Sequence, residues 1–141
     1  MDSLIKSLVP ACFFLLHSFC GCTQPQENIL DQDDVVLVDS IGTNKITFNR
    51  NTKAVDSLKP LIISRIKLAV DSVSRLIEMK NVEFRVTVFP EPTMPHSGMS
   101  GVSPDTGHIY LLLNPENKNL SWGIREELIP TVAHEFHHTM R

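Results

Sequence analysis

The chain of 141 residues is 42% hydrophobic and 21% charged, which suits one globular domain, and it carries no internal repeat and no long low-complexity stretch. Its formal net charge of −3, with no run of Lys or Arg, argues against nucleic acid as the main partner. All three cysteines (Cys12, Cys20 and Cys22) fall at the start, so the body holds neither a disulfide framework nor a Cys-based zinc cluster, and any metal site there must use His, Asp or Glu.

Residues 1–22 read MDSLIKSLVPACFFLLHSFCGC. Lys6 precedes an apolar run, and small residues and cysteines follow, the layout of a cleavable secretory signal. The run is far shorter than the roughly 20 residues that span a bilayer. The alternative is a buried N-terminal strand or helix. The end of the segment resembles the lipobox of bacterial lipoproteins, with Cys22 after the small Gly21 as the residue to be acylated. Phe19 and Cys20 depart from the usual Leu and Ala/Ser. Several acyl chains on Cys22 would anchor the protein stably, and the polar, acidic residues 23–34 would serve as a tether. The expectation is a body, residues 35–141, held outside the cytoplasm on the cell envelope, with plain secretion as the alternative.

Ile46 and Phe48 alternate with polar neighbours in KITFN, which predicts a short strand. Leu58, Ile62, Ile66, Ala69, Val73 and Leu76 then recur at spacings of three and four. They predict a helix over residues 57–79, with Pro60 in its first turn, where the missing N–H costs nothing, and Asn81 after its end. In VEFRVTVF, Val82, Phe84, Val86 and Val88 alternate with polar residues and predict a half-buried strand. Residues 90–107 hold four prolines and three glycines and read as one long irregular loop, of the kind that is functional or disordered. HIYLLL (108–113) is a third strand, apolar on both faces and closed by Asn114-Pro115. The expected fold class is α+β: a small twisted β-sheet, one long packed helix, and a second helix at the C-terminal end.

That last helix carries PTVAHEFHHTMR. Four residues of helix turn through about 400°, so His134 and His138 project from nearly one face and can grip one ion. Glu135, rotated about 100° from His134, sits beside such a site as a general base. This is the H-E-x-x-H pattern of zinc hydrolases. On a helical projection Leu128, Ile129, Val132, Ala133, Phe136 and Met140 fill one apolar arc. His134, His137, His138, Thr131 and Arg141 fill the opposite arc, with Glu135 on the border. The plainer alternative is a polar helix face that happens to hold histidines. Pro130 fits an early helical position, which places the helix start near Ile129. His137 is a candidate substrate contact or support to the ligands, though a solvated polar face is the simpler reading. His96 and His108 read as structural or solvated rather than as ligands.

GHIYLLLNPEN followed by TVAHEFHHTMR resembles a family of predicted zinc-dependent proteases, the domain of unknown function DUF2268. Its members pair a strand ending in an N/D-P turn with an H-E-[FY]-H-H helix followed by Arg. The likeness covers roughly residues 98–141. It implies a zincin-like fold, a Zn2+ cofactor on His134 and His138, and attack of zinc-bound water on a peptide carbonyl assisted by Glu135. It also implies a peptide or protein substrate laid along an edge strand, the role open to HIYLLL beside that of an ordinary core strand. Zincins take a third protein ligand downstream, where this chain has only Thr139, Met140 and Arg141. No oxyanion-stabilising residue is evident, with Tyr110 left as a candidate. The expectation is therefore the front part of a metallopeptidase, truncated before its third ligand, with no catalysis by these residues alone. The alternative is a non-catalytic envelope lipoprotein that binds a peptide or partner and keeps a vestigial zinc site.

Overall fold

The computed structural model describes residues 35–90 and 96–140, the first four by their backbone alone. The expected signal with Cys22, the tether and Arg141 lie outside the described residues. Five strands and two helices form an α+β fold: β1 (Val35–Ile41), β2 (Asn44–Asn49), α1 (Lys59–Ser74), β3 (Glu83–Val88), β4 (Met99–Val102), β5 (His108–Leu113) and α2 (Leu120–Thr139). The sheet is mixed, in the order β1-β2-β3-β5-β4. Strands β2, β3 and β5 run parallel, while β1 and β4 are antiparallel at the two edges.

The strand pleat sorts the side chains. Ile46, Phe48, Phe84, Val86, Ile109, Leu111 and Leu113 point to one face and are fully buried. There they meet Ile62, Ile66 and Ala69 of α1 and Ile124, Leu128, Val132 and Phe136 of α2 in one core. The two helices also pack against each other. The alternate residues Thr47, Arg85 and Tyr110 lie level across the sheet on its other face. Both faces of β5 are buried, as its continuous apolar run requires.

Three expectations are corrected. The strand β1 precedes KITFN and pairs with it through a two-residue turn. Gly42 has φ +60°, and Thr43 after it is not in the left-handed region, the pattern of a type II′ hairpin. Next, the helix over residues 57–79 is shorter. A 3-10 segment, Arg50–Leu58, kinks at Val55 and leads into α1, which keeps Pro60 in its first turn. The helix stops at Ser74, where the β-branched Val73 stands between serines that favour non-helical bonding. Leu76 is consequently 87% exposed rather than part of the core face. Third, residues 90–107 contain the edge strand β4, which pairs with β5 from Met99 to Val102.

A buried amide fixes how β3 enters the sheet. Asn44, 2% exposed, donates from Nδ2 to the Met79 carbonyl at 3.0 Å and accepts from the Val82 N–H at 3.0 Å. Beside it, the Thr43 hydroxyl accepts from the N–H of Asn81, whose φ of 56° turns the chain into β3. Asn44→Ala strands two buried backbone groups and is expected to lower stability by about 2–4 kcal/mol. Urea unfolding checks this, and an unchanged midpoint would contradict it.

Candidate metal centre and cleft

Helix α2 begins at Leu120, not near Ile129, and Pro130 lies inside it. The proline removes its own N–H from the ladder and frees the Glu126 carbonyl, but both residues are exposed, so water meets that carbonyl. The buried stripe is also rotated from the predicted arc. Leu128, Val132 and Phe136 are buried as expected, whereas Ala133 is exposed and Met140 is 46% exposed. Glu135 and Thr139 take their place, at 9% and 7% exposed.

The cause is the edge strand. A side chain at Gly101 of β4 would stand 2.6 Å from Thr131 Cγ2 and 2.8 Å from Glu135 Cγ. The helix has a matching notch at Gly123, where a Cβ would stand 2.5 Å from the Ser97 carbonyl oxygen. Ser103, just after β4, donates from its hydroxyl to the backbone carbonyl of Glu135 at 3.0 Å. The helix is therefore closely packed on β4 and the residues leading into it, from Ser97 against Gly123 to Gly101 against the side chains of Thr131 and Glu135.

His134 and His138 are exposed, and their Nε2 atoms lie 3.1 Å apart, with the rings edge to face. Two nitrogens each about 2.0–2.1 Å from a tetrahedral zinc stand about 3.3 Å apart, so the pair already has a bite that fits such an ion. The histidines occupy the last turns of α2, where the unsatisfied carbonyls favour positive charge. Among the described residues, no group of three or more His, Cys, Asp or Glu is placed to hold a metal. His137 is exposed, its ring 5.9 Å from that of His138 and turned across it.

A cleft of about 400 Å3 opens between α2 and β4. Its walls are Met99, Ser100 and Gly101 on the strand side, and Glu127, Pro130 and Thr131 on the helix side, and it ends at His134 and Glu135. Strand β5, open from its sequence to either the edge beside the site or an ordinary core strand, is the latter, paired on both sides. The edge is β4. Tyr110 also falls away from the site. It sits level with Arg85 on the sheet face opposite the helices, with the guanidinium 5.9 Å from its ring centre.

The other two histidines have separate settings. His96 lies against Trp122, the ring centres 5.8 Å apart and the planes tilted by 35°. His108 donates from Nδ1 to Asp105 at 2.9 Å and lies 3.5 Å from Glu83 through Nε2. Burial pushes the Glu83 carboxyl up, but hydrogen bonds from Arg85 and Thr47, with the charges of Arg85 and His108, hold it below the usual value. Burial likewise raises Asp105 and is outweighed by the His108 and Gly107 hydrogen bonds.

No family model, no curated protein and no solved structure matches the chain. The geometry of α2 and β4 is thus the basis for a functional reading. The sequence signal for the strand's part was faint: Met-Ser-Gly-Val within a Pro/Gly stretch, too short to show a period.

Two outcomes are expected. Gly101→Ala should cost about 1–3 kcal/mol through overpacking against Thr131 and Glu135, read as a lower thermal or urea midpoint. The lowered carboxyls Glu83 and Asp105 favour the charged form in the folded state. Their contribution is present above the ordinary carboxylate range and is lost as pH falls through it and below. Unfolding midpoints measured down to acid pH should therefore fall, and the fall should be smaller in His108→Ala. An equal fall in both proteins would count against the His108 contacts as a source.

Proposed function

We propose that this chain carries the catalytic elements of a zincin-like, zinc-dependent peptidase, held outside the cytoplasm by a lipidated Cys22. The observation that carries the reading is the convergence of His134 and His138 Nε2 at 3.1 Å beside Glu135, at the end of a cleft bounded by an edge strand. His134 and His138 would hold a zinc ion, which would supply Lewis acidity toward a carbonyl and a water. A third protein ligand, which catalytic sites use, would come from outside the described residues.

The protein's own groups have definite parts. Glu135 is nearly buried, and no hydrogen bond or ion pair engages its carboxylate among the described residues. It is free to take a proton from the attacking water and return it to the leaving amine. Gly101 and Ser103 hold its backbone and stem against β4. An extended peptide would add to the outer edge of β4 by main-chain hydrogen bonds, which lays its carbonyls along the cleft toward Glu135. Pro130 and Met99 give that cleft apolar walls.

Glu135→Gln keeps the shape and removes the base. It should lower hydrolysis about 10²–10⁴-fold while zinc content stays unchanged. His134→Ala should lose the zinc itself. Normal hydrolysis by Glu135→Gln would overturn the mechanism.

The second reading, a non-catalytic lipoprotein that holds a peptide along β4, is favoured by the absence of a third ligand among the described residues. It predicts peptide binding that is indifferent to zinc and to Glu135→Gln.

A further inference from the structure

The walls of the cleft are unevenly charged. Among the described residues that line it, Glu127 and Glu135 are the acidic groups, His134 is the only other ionisable one, and there is neither Lys nor Arg. Glu127 is half-buried, yet it has no hydrogen bond or ion pair among the described residues. Its cationic neighbour on the helix, Arg125, turns away and donates to the Ser121 hydroxyl at 2.9 Å. A half-buried carboxylate without a partner is costly to keep and strengthens any cation that reaches it.

Its position gives it a register. Glu127 lies seven residues before His134 on α2, about 10 Å along the helix axis. An extended peptide advances about 3.3 Å per residue. A side chain about three residues from the bond presented to Glu135 therefore comes level with Glu127. The helix is closely packed on β4 and the residues leading into it over that whole distance, from Gly101 at Glu135 to Ser97 at Gly123.

We propose that Glu127 is a specificity-determining residue, receiving a Lys or Arg side chain of an extended peptide bound along β4. The proposal rests on the cleft being a peptide site, as in the function proposed above, but not on hydrolysis. Arg fits best, since its planar fork can pair both carboxylate oxygens at once. Two to four residues separate the basic side chain from the bond brought to Glu135.

The test is made first without catalysis. Two labelled dodecapeptides, alike except for Arg or Glu at four spaced positions, are titrated into the whole protein with EDTA present, and anisotropy is read. The Arg peptide should bind at least tenfold more tightly. Glu127→Gln should erase that preference and Glu127→Lys should reverse it. Glu126→Gln, which makes the same charge change on the exposed neighbour, should leave it intact. Equal binding of the two peptides, or equal effects of Glu126→Gln and Glu127→Gln, overturns the proposal. Digestion of a peptide mixture with zinc present then separates the two claims. Cleavage with no basic residue enriched near the cut sinks the Glu127 role alone. Arg-selective binding with no cleavage of any peptide sinks the peptidase reading and leaves Glu127 as a selector of bound peptide.

Discussion

The close approach of β4 to α2 is the constraint on which the site depends. Two glycines make it possible, one on each element, because at either position a single carbon would fall inside the contact distance of its neighbour. With the strand this near, Glu135 changes from a border residue of an amphipathic helix into a nearly buried one. The same approach makes one wall of the cleft, and the sheet order leaves that wall as an outer edge. A helix with the same sequence set a few ångströms farther out would keep its two histidines and lose the rest.

The helix does a different part of the job. Its spacing brings two imidazole nitrogens together without help from any other element, and its C-terminal end favours the charge they would hold. Its core stripe, Ile124, Leu128, Val132 and Phe136, packs it against α1 and the sheet and so fixes which face remains open. Position along the helix then translates into position along the cleft: Glu127 and Pro130 toward one end, His134 and Glu135 at the other. In the proposed peptidase this order places selection of the substrate upstream of the chemistry on one rigid rod.

Much of this was legible in the residues. The alternation in KITFN and VEFRVTVF and the apolar run HIYLLL mark β2, β3 and β5, because each has at least one face in the core. The histidine spacing needs only helical geometry. What escaped were elements whose cause lies elsewhere in the chain. β4 is four residues long and exists because β5 offers it a partner. β1 depends on the Gly42 turn more than on its own pattern. Pro130 reads as a helix start, but a solvent-facing carbonyl lets the helix run through it. Leu76 fits the helical period on paper, and the helix has already stopped. The burial of Glu135 could not be read at all, since it follows from a glycine 34 positions away.

The central claim is that His134 and His138 hold one zinc ion together. X-ray absorption at the zinc edge, on protein expressed from the complete reading frame of the gene, tests it most directly. The account predicts nitrogen or oxygen donors at about 2.0 Å with the outer-shell scattering of at least two imidazoles, reduced in His138→Ala. Zinc without imidazole scattering, or scattering unaltered in that variant, would contradict it.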